Sequence, residues 1–513
     1  MTDTVAPPLR AGISAWIGFV AMSVGMFMAI LDIQIVASSL PDIQAGLGIA
    51  LNRLSWVQTA YLMAEIVAIP LTGWLTRMMS TRWAFLACVS GFTLASIGCA
   101  ASTGFWSLIP ARVVQGFCGG AMIPLVFAAV FVMFDGPARI RATMIAGLMA
   151  MLAPTLGPTV GGFVTDQYSW HWLFLINVPS GIVVALLVAG MVRIDRPEWR
   201  FFRSVDLLAI PLLAVFLATL ELVLKEAPHR GWGDPPIVAL MALCGLGACG
   251  TLWRCWRHRT PLVDLAAFRD RNFLVGCWFS FVLGVGLYGA SYLLPLFLGV
   301  VRDHSALEIG EIMMVTGAAQ LLATPVATML EPRVDARLLT GFGYALLAAG
   351  FIADGFTTSA SDFRGLFWPQ VARGAAFMFC LLPTTTLALS GFAPRAVPNA
   401  SGLFNLMRNL GGAIGLALID TIIENRAPVH AEALAARLQA RDVDALRFLN
   451  LPLDSYAALP PGADLDPQTR ELLVGVVDRG GLALAFNDAW LLIGGLIALS
   501  LLLLPLLRRG CPK

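Results

Sequence analysis

The sequence predicts an all-α polytopic membrane protein with fourteen transmembrane helices. Hydrophobic residues make up 58% of the 513-residue chain and charged residues only 13%, and the mean hydropathy is +0.78. A soluble protein of this length needs a larger polar surface. Apolar runs of about 20 residues, the length that crosses the hydrocarbon core, recur along the whole chain. An even number of spans places both termini on one side of the membrane.

The predicted spans follow one another with short polar connections. Their approximate bounds are 14–40, 54–76, 83–102, 106–131, 141–164, 172–192, 205–224, 236–254, 273–300, 309–330, 338–357, 364–390, 398–424 and 486–507. The predicted organisation is an N-terminal six-helix bundle (1–195), an inserted helix pair with its flanking segments (196–262), the first five helices of a second bundle (263–424), a long outer loop (425–485) and a last helix with a tail (486–513).

Basic residues are distributed unevenly over the connections. With a cytoplasmic N-terminus, the inner segments hold twenty of the 34 Lys and Arg residues, whereas the short outer connections hold five. The positive-inside rule therefore predicts that both termini lie in the cytoplasm. The net charge is +2, and the basic residues lie at span ends rather than on one patch, so nucleic-acid binding is not expected.

The cysteines and histidines indicate neither a disulfide framework nor a metal site. The nine cysteines contain no C-x-x-C pair, and all five histidines fall in connections between spans. The sequence also lacks a recognisable nucleophile–base set and a Walker A lysine. We therefore expect no cofactor, no metal and no enzymatic activity, and ATP is not the expected energy source.

The fourth and twelfth spans carry a similar polar motif. The run Arg-Val-Val-Gln-Gly ends at Gly116, and the run Gln-Val-Ala-Arg-Gly ends at Gly374; each is followed by a proline, Pro124 or Pro383. The match favours two equivalent bundles with the seventh and eighth spans inserted between them, an arrangement common in transporters. Composition alone also produces such a match.

The clearest ionisable residues inside predicted spans are Asp32, Glu65, Arg112, Arg373 and Arg408. Each costs at least a few kcal/mol at the bilayer centre unless it is paired or hydrated. At 1.5 Å per residue, Asp32 lies roughly 12 Å and Arg112 roughly 9 Å below the outer ends of their spans, so the two can meet. Glu65 lies nearer the midplane. Asp32, Arg112 and Glu65 are therefore the candidates for proton coupling, because a conformational change that alters solvent access or separation switches a carboxyl group's protonation.

Structural roles remain alternatives for these residues. Asp32 and Arg112 also fit a static ion pair, or polar groups that face a water-filled cavity. Arg408 with Asn405 and Asn409 also fits a hydrogen-bonded cluster between helices. The polar candidates along the substrate path are Gln34, Glu65, Gln115, Arg373, Asn405 and Arg408.

The fifth span contains the unusual run Ala153-Pro-Thr-Leu-Gly-Pro-Thr-Val-Gly-Gly162. Two prolines four residues apart and a G-x-x-x-G step would damage a soluble helix. A membrane helix tolerates them because neighbouring helices approach closely and re-satisfy the backbone. We predict a packing seam and a pivot formed by Pro154, Gly157, Pro158, Gly161 and Gly162.

Several motifs in order resemble one transporter family, and the resemblance covers nearly the whole chain. They are Leu31–Val36, Pro70–Leu75, Arg112–Gly116, Gly157–Gly162, Trp172–Pro179 and Asn399–Asn405. Together they resemble the fourteen-helix drug:proton antiporter branch of the major facilitator superfamily, the EmrB/QacA-type multidrug efflux permeases. The resemblance implies a major facilitator fold with two six-helix bundles plus an inserted pair, working by alternating access.

The resemblance also implies roles for individual residues. Asp32 matches the family's proton-carrying acid in the first span, Arg112 matches the arginine that modulates it, and Gly157–Gly162 matches the antiporter signature. The loop after the second span departs from the family pattern G-x-L-x-D-R-x-G-R, because Arg77 replaces the acid and Ser80 the second glycine. The expected cytoplasmic gate therefore comprises Gly73, Arg77 and Arg82 from this half, with a related contact from Arg333, Asp335 and Arg337 in the other.

The implied function is proton-coupled export of small amphiphilic compounds or drugs, and hence antibiotic resistance. A metabolite, siderophore or fatty acid on the same scaffold is the alternative cargo. A receptor or sensor is disfavoured, because no sizeable soluble signalling domain is present. The many Met, Phe and Trp residues suit an adaptable apolar pocket, although lipid-facing positions would have the same composition, and Glu65 favours an amphiphilic or cationic ligand.

The long outer segment is the one sizeable extramembrane element of the sequence. Residues 431–441 predict a short amphipathic helix, Pro452 and Pro460–Gly462 predict breaks, and a second helical stretch follows over 466–478. The resemblance implies docking of a periplasmic membrane-fusion adaptor and an outer-membrane channel here. A solvated loop without a partner is the alternative.

Overall fold

The computed structural model describes residues 12–49, 53, 56–192, 206, 208–258, 261, 263–304, 306–393, 396–440, 442–449 and 467–507. Helices dominate these residues, and no β-strand is formed within them. The predicted all-α class is confirmed.

The helices follow the order of the predicted spans. The first bundle comprises α1 (Ile13–Ser38), α2 (Leu40–Leu47), α3 (Trp56–Met79), α4 (Thr81–Ala100), α5 (Phe105–Met133), α6 (Gly136–Gln167), α7 (His171–Leu175) and α8 (Asn177–Met191). The inserted pair is α9 (Ala209–Arg230) and α10 (Pro235–Arg257). The second bundle comprises α11 (Arg271–Val300), α12 (Ala306–Leu330), α13 (Ala336–Asp354), α14 (Phe363–Leu389), α15 (Val397–Gln439), α16 (Val443–Phe448) and α17 (Pro467–Ser500).

Most of these helices are long and apolar enough to cross a membrane. Among the described residues twelve spans pass on length and composition, and α6 makes a thirteenth if its two arms form one span. The α9 helix is also 22 residues long, but Glu221, Lys225 and Glu226 make its middle too polar for the same criterion. Counting α9 as the remaining span gives the predicted fourteen. Charged residues in a membrane helix require partners, and the helices packed against α9 provide them.

The two bundles share a close helix contact at equivalent places. A Cβ atom on Gly116 of α5 would overlap the carbonyl oxygen of Tyr61 on α3, and a Cβ atom on Gly374 of α14 would overlap that of Thr316 on α12. Only glycine allows backbones to approach so closely. Each glycine therefore fixes the helix that carries its bundle's polar motif against the same neighbour, which supports the predicted repeat.

The inserted pair packs against both bundles. The α9 helix contacts α3 of the first bundle and α15 of the second, in addition to its partner α10. Near its end, the ring Nδ1 of His229 lies 3.1 Å from Glu424 Oε1, and the Trp232 indole donates to the Thr421 hydroxyl at 3.3 Å. The Lys225 ammonium donates to the Thr59 hydroxyl on α3. The inserted pair thus lies at the junction of the two bundles.

The outer segment differs from the prediction. The helix expected over 431–441 is not separate but is the end of α15, which continues without a break through Pro428 to Gln439. The stretch expected over 466–478 is helical, and it is continuous with the last span in α17. The cause of this continuity is a small hydrophobic core formed by these extensions and α16, because burial of apolar side chains stabilises helices beyond the membrane spans. Its members are Leu434, Leu438, Ala445, Leu446, Leu449 and Val477. The breaks predicted at Pro452 and Pro460–Gly462 lie outside the described residues.

Candidate functional site

Asp32 and Arg112 form an ion pair inside the first bundle. Arg112 Nη1 lies 2.5 Å from Asp32 Oδ2, and neither side chain is exposed to solvent. The other carboxylate oxygen, Oδ1, accepts hydrogen bonds from Gln115 Nε2 at 2.9 Å and from Asn177 Nδ2 at 2.8 Å. Both oxygens of a fully buried carboxylate are therefore paired, by groups on α5 and α8.

The surroundings of Arg112 hold its guanidinium in place. Its Nε donates to the Val57 carbonyl on α3 at 3.1 Å, and its central carbon lies 4.5 Å from the centroid of the Tyr61 ring. A cation over an aromatic face is stabilised by the quadrupole of the ring. Glycines 116, 119 and 120 on α5 face α3 at Tyr61 and Glu65, so the approach of these two helices positions the arginine.

The sequence prediction found the pair but missed some of its partners. Asn177 belongs to one of the quoted motifs, yet its carboxylate contact depends on the fold. Gln115, expected along the substrate path, lies instead in this network, where it also donates to Ser96 on α4 at 2.9 Å and accepts from Arg112 at 2.7 Å. The signal that could have found it is its place one turn after Arg112, on the same helix face.

Glu65 lies between the bundles and is 3% exposed. Its Oε1 accepts a long hydrogen bond of 3.5 Å from Asn409 on α15. Its Oε2 is buried and has no hydrogen-bond partner among the described residues. Asn409 also accepts from the Tyr288 hydroxyl on α11 at 3.2 Å. This carboxylate is therefore separate from the Asp32 network and incompletely paired.

A second buried ion pair joins Arg373 on α14 to Asp354, the last residue of α13. The two side chains are 3% and 0% exposed, and the arginine also lies 4.8 Å from the centroid of the Trp490 ring. The sequence prediction missed Asp354, because it stands at the end of a span. Arg373 lines a cavity of about 60 Å³ between α6 and α11–α14, which is large enough for several water molecules.

The remaining path candidates have different environments. Asn405 donates to the carbonyl of Ser401 within its own helix at 2.9 Å. The Arg408 guanidinium lies between the rings of Phe127 and Phe404, at 5.6 and 5.5 Å, and its Nε and Nη2 lack hydrogen-bond partners among the described residues. Of the three residues in the interhelical cluster predicted as an alternative, Asn409 bonds to other helices, whereas the described hydrogen bonds of Asn405 stay within α15 and Arg408 contacts two aromatic rings.

The predicted seam lies at the bend of α6. The two arms, Gly136–Pro154 and Thr159–Gln167, meet at 51°, and the bend falls where prolines weaken the helix ladder. A Cβ atom on Gly157 would overlap Gln34 of α1. A Cβ atom on Gly162 would have no neighbour within 4 Å. The Gly161 carbonyl accepts a hydrogen bond from the Thr165 hydroxyl at 2.8 Å. On the other side of α6, a Cβ atom on Gly310 of α12 would lie 3.0 Å from the Thr159 hydroxyl. The α6 helix thus contacts α1 on one side and the second bundle on the other.

The predicted cytoplasmic gate residues lie at helix ends. A Cβ atom on Gly73 would lie 2.9 Å from Asn399 Cα on α15, so α3 meets the second bundle here. Arg82 donates to the Ala189 carbonyl of α8. In the second bundle Asp335 accepts from the Arg337 backbone at 3.0 Å and pairs with its side chain, while Arg337 also donates to the Leu507 carbonyl at 3.1 Å.

The described contacts of Arg82, Asp335 and Arg337 stay within one bundle. Arg77 lies in the last turn of α3, and the Arg333 backbone N–H donates to Leu330, closing the end of α12. The role of these residues as a gate stays a prediction. No group of three His, Cys, Asp or Glu residues that could hold a metal ion occurs in the part of the chain that the structure describes.

Comparison with known proteins identifies the family. A family model of the Major Facilitator Superfamily matches residues 22–416. The chain is 40% identical over 418 residues to the colistin resistance protein EmrB of Acinetobacter baumannii, which covers 81% of this chain and 82% of that relative. It is 31% identical over 418 residues to the multidrug export protein EmrB of Escherichia coli K12, covering 80% of each.

The fold has a counterpart among solved structures. The crystal structure of the human organic anion transporter MFSD10 matches with a TM-score of 0.61 and 15% identity, over 96% of this chain and 99% of that one. At this identity the match speaks to the fold alone, and it confirms the major facilitator architecture predicted from the sequence. The protein is a multi-pass membrane transporter rather than an enzyme. The chain belongs to the Major Facilitator Superfamily.

Proposed function

We propose that the protein exports small amphiphilic compounds or drugs across the bacterial inner membrane in exchange for protons, by alternating access of its two bundles. The names of the two EmrB relatives, which refer to colistin resistance and multidrug export, support this cargo class. The observation that carries the coupling is that Asp32 is fully buried and held by Arg112, Gln115 and Asn177 from two other helices.

Protonation of Asp32 weakens the contacts that fix α1. An ionised carboxylate accepts charge-assisted hydrogen bonds, which are roughly twice as strong as neutral ones. A proton on Asp32 removes the charge that Arg112 and the two amides compensate, so the arrangement of α1 against α5 and α8 becomes less stable. Proton binding then favours a conformation in which these helices separate.

The same helix connects this site to the bend of α6. Gln34 lies two residues after Asp32 and packs on Gly157, and Thr159 of α6 lies against Gly310 of α12. A displacement of α1 therefore acts on the seam, and the seam contacts the second bundle. This continuous set of contacts gives the proton a mechanical route to the relative position of the bundles.

The test is transport in proteoliposomes with an imposed pH gradient. Asp32→Asn preserves the shape of the side chain but carries no charge, so we expect gradient-driven export to fall about 100-fold while exchange of labelled for unlabelled substrate continues. Asp354→Asn is the matched control, a buried carboxylate beside an arginine in the other bundle. Gradient-driven export by Asp32→Asn at the wild-type rate would refute the coupling role. Replacing the drug by a fatty acid or siderophore in the same assay tests the alternative cargo.

We also propose that both termini lie in the cytoplasm and that the outer extension docks a periplasmic adaptor leading to an outer-membrane channel. The extension's own small core, formed by α15, α16 and α17, suits a docking element better than a solvated loop. Gly481 packs against Ala427 and Ala431, so a short linker can join the two long helices at that level and replace residues 432–479.

This shortened variant separates docking from transport. We expect it to transport normally in proteoliposomes, where no partner is needed, and to lose efflux from whole cells. Normal efflux from cells at equal surface expression would contradict the docking proposal. Accessibility of cysteines introduced at each terminus to an impermeant reagent in intact cells tests the orientation.

A further inference from the structure

The incompletely paired carboxylate of Glu65 indicates a missing ligand. Its Oε2 is buried without a hydrogen-bond partner among the described residues, and its Oε1 has only the long contact with Asn409. A buried charge that lacks partners is costly. The group that compensates it must therefore come from outside the described network, as a bound cation or as a proton.

The inserted helix α9 brings a second carboxylate to the same place. The α9 helix packs on α3, and Glu221 stands one turn before Lys225, whose ammonium contacts Thr59 on α3, so its side chain is on the face of α9 that is turned to α3, where its charge opposes that of Glu65. Lys225, one turn further along α9, is attracted by Glu221 and Glu226 and donates to the Thr59 hydroxyl on α3. The charged residues of α9, Glu221, Lys225 and Glu226, thus lie at the junction of the bundles or at its edge.

Helices of the second bundle close the other side of this junction. Tyr288 of α11 donates to Asn409 and lies within electrostatic range of Glu65, Glu221 and Arg408. The other charged or titratable groups near α9 are Glu226, which pairs with Arg230 at 3.0 Å, and, toward the end of α9, His229, Asp420, Glu424 and Tyr292. Both bundles and the inserted pair therefore contribute to one polar site.

The charges at this site do not balance. Glu65 and Glu221 carry two negative charges if both are ionised, and Lys225 carries one positive charge. Arg408 is not a partner of either carboxylate among the described contacts, because its guanidinium lies against the rings of Phe127 and Phe404. One negative charge therefore remains, in surroundings where the repulsion between carboxylates is much stronger than in water. One monovalent cation satisfies the site.

We propose that the inserted helix supplies half of a cation site, in which Glu221 and Glu65 share one exchangeable monovalent cation. That cation is a proton in the empty transporter or the onium group of an organic cation when one is bound. The inference rests on the proposed function only in placing this site on the transport path. Binding is measured without transport, so the two ideas fail separately.

The test uses purified full-length protein in detergent and tetraphenylphosphonium, a permanent cation that carries no proton. Binding is measured by equilibrium dialysis between pH 5 and 9, and proton release by an indicator dye in weak buffer. We expect Glu221→Gln to weaken binding about tenfold or more, which is the loss of at least about 1.4 kcal/mol. Glu226→Gln is the comparison on the same helix: Glu226 pairs with Arg230 and acts on the site only through Lys225, so its loss should weaken binding much less than Glu221→Gln does.

A third variant guards against misfolding. Lys225→Gln removes the competing positive charge, so it should bind tetraphenylphosphonium more tightly than the wild type, a gain that a damaged protein cannot mimic. Release of about one proton per bound cation, near or below neutral pH, would support the exchange of a proton for the organic cation, and release near zero across the whole pH range would contradict it. Absence of binding by the wild type, or equal binding by the wild type and Glu221→Gln, would overturn the proposed site.

Discussion

Each bundle buries one arginine–aspartate pair, and the two pairs differ in what surrounds them. In the first bundle both oxygens of Asp32 are hydrogen-bonded and the pair is enclosed by α1, α3, α5 and α8. In the second, Asp354 Oδ1 and Arg373 Nε have no hydrogen-bond partner among the described residues, and Arg373 lines a cavity. Each arginine keeps one buried nitrogen without a partner among the described residues, Arg112 Nη2 and Arg373 Nε, so the difference lies in the carboxylates: that of Asp32 is fully hydrogen-bonded, whereas that of Asp354 has one unpaired oxygen beside a cavity.

The difference follows from an exchange of two residues in the repeated motif. Counted from the glycine, arginine stands at −4 and glutamine at −1 in α5, and the order is reversed in α14. The residue at −1 reaches α4 in the first bundle and α13 in the second, so Gln115 bonds to Ser96 while Arg373 pairs with Asp354. The residue at −4 faces α3 in the first bundle and α12 in the second, where Arg112 donates to the Val57 carbonyl and Gln370 accepts from the Thr316 hydroxyl at 3.0 Å.

This exchange gives the two bundles different tasks. Arg112 extends past α3 to an acid on α1, the helix that touches the bend of α6. The second bundle instead leaves a cavity lined by Ala290 and Ser291 of α11. We interpret the first pair as the coupling element and the second as a structural pair at the wall of a mostly apolar cavity.

The largest expected effect comes from removing the charges in each bundle in turn. A single Asp32→Leu or Asp354→Leu substitution leaves a buried arginine unpaired, which costs about 3–5 kcal/mol. The double substitutions Asp32→Leu/Arg112→Met and Asp354→Leu/Arg373→Met should restore most of the lost thermal stability, because apolar pairs of similar volume replace buried ion pairs well. Only the first double variant should lose gradient-driven export. Loss of coupling in both variants would show that the two pairs share the task.

A smaller effect is expected at the two glycines that fix the polar helices. Gly116→Ala and Gly374→Ala place a methyl group on a neighbouring backbone carbonyl, so each should lower stability by about 1–3 kcal/mol through overpacking. Gly162→Ala is the control, since nothing lies within 4 Å of its would-be Cβ. Unfolding in detergent followed by tryptophan fluorescence measures the difference. If only one of the two glycines is sensitive, the equivalence of the bundles fails at this contact.

The smallest effect on stability is expected from the solvent-exposed pair of Arg437 and Asp442, which contrasts with the two buried pairs. Asp442 caps α16, and the hydrogen bond from Arg437 at 2.6 Å, followed by that from the Asp444 N–H, lowers the pKa of its carboxyl group. Because this pKa is lowered, the ionised Asp442 carboxylate stabilises the folded state at pH values above the pKa of an aspartate in the unfolded chain, about 4. This stabilisation is lost as the pH falls through the pKa of Asp442 in the folded protein.

Hydrogen exchange of residues 443–449 at pH 7 and pH 3 measures this contribution. We expect faster exchange at pH 3 after correction for the intrinsic rate, and a smaller pH effect in Asp442→Asn, which keeps a capping side chain without the charge. An equal pH response in both proteins would remove the ion pair as its cause.

The sequence predicted the contact between Asp32 and Arg112, because the rise per residue of a helix converts residue number into depth in the membrane. Asp32 and Arg112 were placed at similar depths on adjacent spans, and the structure brings them together. The same reasoning gave no partner for Glu65 or Arg373. Glu221 was read as part of an ordinary apolar span, and Asp354 as the end of one, since neither the rotation of a helix about its axis nor its neighbour follows from hydropathy.

The amino-acid sequence by itself determined that this chain spans the membrane, because hydropathy and span length are local properties, and its ordered motifs resemble those of major facilitator transporters. Tertiary structure alone decided which polar groups meet: Asn177 with Asp32, Arg373 with Asp354, and Asn409 with Glu65. It also decided that the outer loop becomes an extension of two helices. These outcomes depend on contacts between residues far apart in the chain, and the free energy of such contacts comes from burial that no local window contains.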